Sequence, residues 1–128
     1  MSAIFTEWKD HHARLWGRHP IRLTHTLDQS PLFTHEALID LISHYPREHY
    51  SVIHMGAGDD HFWKEGEFAN LPGEAMYEAV AAGRLWLNLR RTDAIDPRYR
   101  DLMLEMFDEI ADRTGQSDLR MPSIGILI

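Results

Sequence analysis

Two spacings of apolar residues alternate along the chain, and each predicts a different kind of element. In "FTEWKDHHARLW", residues 5–16, Phe5, Trp8, His12, Leu15 and Trp16 recur at three- and four-residue steps. That spacing predicts a short amphipathic helix with an aromatic stripe, closed by Gly17. "PIRLTHTL" instead alternates Ile21, Leu23, His25 and Leu27 against Arg22, Thr24 and Thr26. A period of two predicts a strand with one buried side, and His25 falls on that inward side. Pro20 stands at its start, where a strand tolerates proline.

The same two periods continue to the last residue. "DQSP" is turn chemistry, Thr34 suits the N-cap of a helix, and Ala37, Leu38, Leu41, Ile42 and Tyr45 follow helical spacing until Pro46. "HYSVIHM" predicts a second strand. Residues 56–73 mix glycines, acids and aromatics without a period, and a loop of that length in a compact domain is usually functional or poorly ordered. Ala75, Met76, Ala79 and Val80 share one helical face, with Gly83 suited to a left-handed C-terminal position. Leu85, Leu87 and Leu89 alternate with Trp86, Asn88 and Arg90 as a third strand. Asp96-Pro97 combines an N-cap acid with proline at the first helical position. Tyr99, Leu102, Met103, Met106, Phe107 and Ile110 then form a continuous apolar stripe that stops at Gly115. "MPSIGILI", Met121 to Ile128, predicts a last strand. The order is α-β-α-β-loop-α-β-α-β. It is an α+β pattern, a small mostly antiparallel sheet with about four helices, drawn from strands near residues 21, 50, 86 and 124.

Composition narrows the class. At 128 residues the expectation is one domain spanning residues 1–128, long enough to bury roughly two-thirds of its unfolded surface. Hydrophobic residues make up 44% and charged residues 26%, as in globular chains. Cysteine is absent, which removes disulfides and thiolate ligands from consideration and fits a reducing compartment. Charge and histidine appear too early for a secretory leader, and no apolar run approaches the ~20 residues of a membrane span. The expectation is therefore a cytoplasmic protein without membrane contact. Twenty acidic against 13 basic residues give a net charge of −7, a field that repels nucleic acid. Arg90 and Arg91 read as a solvated strand end.

Nine histidines supply most of the candidate chemistry. In "HMGAGDDH", His54, Asp59, Asp60 and His61 are metal-ligand types, and the glycines let them converge. Two histidines and one carboxylate around an ion is the arrangement of non-haem iron oxygenases. The spacing matches no established ligand motif, so a polar, pH-sensitive turn is the favoured reading. A small metal enzyme using His54, Asp59 and His61 is the weaker one. "GAG" at 56–58 lacks a third glycine and runs into Asp59 and Asp60, which repel phosphate. His11 and His12 are adjacent on a helix and point about 100° apart, too divergent to chelate one ion. His44 and His49 flank Pro46. His25 reads as a hydrogen-bonded core residue. Phe62, Trp63 and Phe68, in the loop 61–68, are costly to expose unless they cover the core or a partner.

Three stretches taken together carry a resemblance. "PIRLTHTLDQSPLFTHEALIDLISHYP", "GRLWLNLRRTDAIDPRYRDLMLEMFDEI" and "MPSIGILI" are similar to the N-terminal part of bacterial cupin-like proteins related to the JmjC oxygenases. In that family a strand, a helix and a W-x-N-L strand, here Trp86 to Leu89, precede a jelly roll. The resemblance covers about Pro20 to Ile128 and implies that Ser123 to Ile128 is the first jelly-roll strand. It implies Fe(II) and 2-oxoglutarate for a full-length relative, bound through a His-x-Asp or His-x-Glu pair and a distant histidine. No histidine here is followed two residues later by an acid, so none of those ligands carries over. The expected role is that of an N-terminal domain supporting or covering the jelly roll of a hydroxylase. The alternative is a self-contained homodimeric interaction domain without catalytic activity, pairing through the exposed strand and the aromatic loop.

Overall fold

The computed structural model describes residues 3–54, 72–83, 85–120 and 123–128. Among the described residues, five α-helices accompany a three-stranded antiparallel sheet, an α+β arrangement. The helices are α1 (Asp10–Leu15), α2 (His35–His44), α3 (Gly73–Ala81), the one-turn α4 (Thr92–Ile95) and α5 (Pro97–Thr114). The strands are β1 (Tyr50–His54), β2 (Leu85–Arg90) and β3 (Gly125–Leu127), in the order β1-β2-β3. No helix of the described residues is long and apolar enough to cross a membrane.

Register explains where the core lies. Tyr50 pairs with Leu89 and Val52 with Leu87, while Leu89 pairs with Ile126 on the other side of β2. Side chains alternate across a strand, so these residues share one face. α2 lays Leu41, Ile42 and Tyr45 over that face, α3 adds Met76, and α5 adds Tyr99. Met76, Leu87 and Leu89 are fully buried. Each contributes on the order of 1.5–3 kcal/mol by leaving water.

Local chemistry sets the helix ends. The Thr34 hydroxyl accepts the Ala37 N–H at 3.1 Å. The Asp96 carboxylate accepts the Arg98 N–H at 3.0 Å, with Pro97 behind it. Gly115 turns the chain out of α5 at φ 74. Arg91 takes the left-handed region at φ 58, a strained conformation for a side-chain-bearing residue that passes β2 directly into α4.

Two expectations are corrected. The strand at 20–27 is no member of the sheet: only His25 forms a β-bridge, to Phe5. Thr6 N–H donates to the Thr24 carbonyl and Thr26 N–H to that of Ile4, so the partner of this segment is the short extended stretch near residue 5. That stretch is also why α1 starts at Asp10 and not at residue 5. With Phe5 held extended, the alternation loses phase at Thr24, and His25 lies exposed on the surface, not on an inward face. The aromatic stripe survives the shorter helix. Trp8 stands 6.0 Å from Phe5, 6.2 Å from His12 and 6.3 Å from Trp16, ring centre to centre.

Candidate functional site

β3 is an edge strand. Leu87 and Ile128 exchange both main-chain hydrogen bonds at 3.0 Å. Antiparallel pairing alternates, so Ile126 also faces β2, while the N–H and C=O groups of Gly125 and Leu127 face away from it. Among the described residues no further strand meets that edge. The Leu127 side chain is 67% exposed, on the sheet face opposite the core. Ile124, Ile126 and Ile128 pack against the core on the other face. Among the described residues, β3 therefore joins a packed inner face to an outer edge that no strand meets.

The residues that position this edge sit at the end of β2. Thr92 N–H donates to the Ile124 carbonyl at 3.0 Å, and the Asp93 carboxylate accepts the Ile124 N–H at 3.0 Å. α4 thus grips the chain one residue before β3. Thr92 is fully buried, and its hydroxyl donates to the Leu89 carbonyl at 3.2 Å. The Tyr45 hydroxyl lies 3.1 Å from that of Thr92 and donates to the Arg90 carbonyl. Burial pushes the Tyr45 phenol above its ordinary value, partly countered by the neighbouring Thr92 hydroxyl. Beside it, the Arg47 guanidinium stacks 5.0 Å above the Tyr50 ring and Arg90 donates to the Glu48 carbonyl at 3.1 Å. Gly125 fits because a Cβ there would come within 2.9 Å of the Leu89 carbonyl oxygen.

The candidate histidines scatter. The backbone of His54 ends β1 opposite Leu85. Asp59, Asp60 and His61, with the aromatic residues Phe62, Trp63 and Phe68, lie outside the described residues. His12 is buried and its Nδ1 accepts the Lys9 N–H at 3.0 Å, while the His11 ring centre lies 4.1 Å from its own with the two planes tilted by 51°. The exposed His25 accepts the Leu27 N–H at 3.2 Å. His44 pairs with Asp40 at 3.3 Å on the outer face of α2. Among the described residues no three His, Asp or Glu side chains are grouped to hold a metal ion. Arg90 and Arg91 are exposed, as expected of a strand end.

Two arrangements leave no mark in the local pattern of the chain. Glu109, on α5, accepts the N–H groups of Ile4 and Phe5 at 2.9 and 3.0 Å. No local pattern announces a bond across 105 residues. The Tyr45–Thr92 contact is equally remote from either helical period. No protein-family model, curated protein or solved structure matches this chain.

Proposed function

We propose that this chain acts as the N-terminal domain of a cupin-like, JmjC-related hydroxylase, covering a jelly roll through the outer edge of β3. The observation that carries this reading is an anchored strand whose outer edge no strand of the described residues meets. Gly125 and Leu127 turn their main-chain groups away from β2, and α4 fixes the entry of the strand through Thr92 and Asp93. A short, rigidly held edge suits strand addition, in which main-chain bonds supply affinity and exposed side chains supply selectivity.

The resemblance also brings Fe(II) and 2-oxoglutarate, and the donor set of this chain does not fit them. The His-x-Asp or His-x-Glu pair is absent from residues 1–128. No ligand is assigned here, and the chain's part in such chemistry is to shape and shield a site built by other residues.

The test begins with the gene and ends in solution. A reading frame that encodes a jelly roll with His-x-Asp beyond Ile128, whose product binds this chain one to one, supports the reading. Loss of that complex in Leu127→Lys, with the fold intact by circular dichroism, places the contact on β3. A symmetric dimer of the isolated chain, broken by the same substitution, favours the homodimeric interaction domain. A monomer indifferent to the jelly roll overturns both.

A further inference from the structure

Three exposed arginines meet where β1 begins and β2 ends. The turn Arg47–His49 leads into β1, and the pairing of Tyr50 with Leu89 sets that turn beside Arg90 and Arg91. The Arg90 guanidinium reaches across and donates to the Glu48 carbonyl at 3.1 Å. The Arg47 guanidinium lies 5.0 Å above the Tyr50 ring. We propose that Arg47, Arg90 and Arg91 form a binding site for a small, multiply charged oxyanion, a phosphate ester or a polycarboxylate. The inference is independent of the reading of β3.

The backbone at Arg91 is a separate observation that points the same way. Among the described residues it is the one non-glycine position with positive φ, at φ 58 and ψ 39. Glycine or asparagine takes that region at less cost, so local preference argues against an arginine there. Its neighbours hold the turn from both sides. The Arg90 carbonyl accepts from the Tyr45 hydroxyl, and Thr92 N–H donates to the Ile124 carbonyl at 3.0 Å. The carbonyl of Arg91 itself accepts the Ala94 and Ile95 N–H groups at 3.0 and 3.2 Å. Strain that the surroundings over-determine in this way clusters at ligand clamps and similar sites.

The side-chain chemistry selects the ligand. A guanidinium presents its N–H donors in a fixed planar fork that matches the oxygens of a carboxylate or a phosphate. Arg90 spends an Nη2 donor on Glu48, and Arg47 covers an aromatic ring with its face, so both keep donors for a ligand. Both are also held in place before a ligand arrives, which lowers the ordering cost of binding. The acids of this corner do not cancel it. The Asp93 carboxylate is engaged by the Ile124 N–H at 3.0 Å, which leaves Glu48 as the exposed acid beside three arginines. A net charge of −7 repels a long polyanion such as a nucleic acid, whereas a compact anion meets only this corner.

The test is an NMR titration of the full chain, reading backbone amides and arginine Nε–H signals. Inorganic phosphate and citrate are added in separate arms, with ionic strength held constant by sodium chloride. The expected result is saturable movement of the Arg47, Arg90, Arg91 and Thr92 signals, while Val52, Leu87 and Ile110 hold their shifts. Tighter binding of phosphate marks a phosphoryl ligand and tighter binding of citrate a polycarboxylate, and either supports the site. Arg47→Lys keeps the charge but loses the fork and the stacked plane, and Arg91→Gly removes a charge while relaxing the turn. Each should weaken binding by about tenfold, the scale of one charge-assisted hydrogen bond. Arg91→Gly should do so with a urea midpoint no lower than that of wild type, which separates lost recognition from lost fold. Signals that move equally with sodium chloride alone overturn the proposal. So does saturable binding that both variants leave intact, or binding whose moved signals lie away from this corner.

Discussion

Gly73 meets Ser43 where α3 crosses α2, so closely that a Cβ at position 73 would lie 2.1 Å from Ser43 Oγ. The same Cβ would stand 2.6 Å from the Ile39 carbonyl oxygen. Gly73 opens α3, and glycine in a helix is ordinarily worse than alanine by up to about 1 kcal/mol. Contact reverses that preference here. Gly73→Ala should destabilise the protein by about 1–3 kcal/mol, measured by urea unfolding. Removing the hydroxyl with Ser43→Ala should recover only part of the loss, because the Ile39 carbonyl belongs to the backbone and cannot swing aside.

The Tyr45 phenol links α2 to the last carbonyl of β2. Tyr45→Phe keeps the ring and removes the hydroxyl, leaving the Arg90 carbonyl without its donor and the Thr92 hydroxyl without its neighbour. The expected cost is about 1–2 kcal/mol. Burial raises the phenol's pKa in the folded state, so this group's stabilising share is intact below about pH 10 and fades as the pH climbs through the folded value. Wild type should therefore lose stability in alkali more steeply than Tyr45→Phe. A residual slope is expected from Tyr99, which burial shifts in the same direction.

Much of this architecture was legible because local and long-range preferences agree. Thr34, Asp96-Pro97 and Gly115 announce helix ends that the structure places where the chain chemistry puts them. Leu85, Leu87 and Leu89 show a buried face at a period of two, and their burial follows it. Agreement fails at residues 5–8 and 20–27. There a helical aromatic spacing and a strand alternation compete with a bridge between the two segments and with the distant Glu109 carboxylate. His25 is misplaced for that reason, since one residue of lost phase moves a side chain to the other face. The partner of "MPSIGILI" was half visible: β2 is an evident strand, yet nothing in either segment says they pair.

Asp96 performs two tasks at the start of α5. It accepts the Arg98 N–H and also forms a forked pair with the Arg98 guanidinium, at 3.1 Å to Nε and 2.8 Å to Nη2. The side-chain bonds from Arg98 hold its pKa below the ordinary carboxylate value, against a smaller opposing effect of burial. Its contribution is thus complete above about pH 4 and disappears as the pH falls through the folded value. Asp96→Ala should cost about 1 kcal/mol at neutral pH, the usual worth of an N-cap. Asp96→Asn should cost less, because asparagine still caps, and should lack the acid dependence of wild type. Urea midpoints at neutral pH and at pH 3 separate the cap from the ion pair.

β3 separates stability from recognition within three residues. Ile126 faces β2 and packs against the core, so Ile126→Ala should destabilise by about 1–2 kcal/mol, less than a fully buried aliphatic. Gly125→Ala brings a Cβ within 2.9 Å of the Leu89 carbonyl oxygen, and that oxygen is backbone. Either Gly125 must shift away or the β2–β3 ladder must lengthen, so this substitution should also cost about 1 kcal/mol or more. Leu127 differs from both. With two-thirds of its surface in water, Leu127→Lys should change stability by no more than about 0.5 kcal/mol. A lysine on an edge strand also opposes strand addition, since pairing would bury its charge against the incoming chain. If β3 docks a jelly roll, Leu127→Lys weakens the complex without moving the urea midpoint, whereas Ile126→Ala moves both. A Leu127→Lys protein that unfolds early would instead mean that this side chain serves the fold, and the docking surface would then have to lie elsewhere on the sheet.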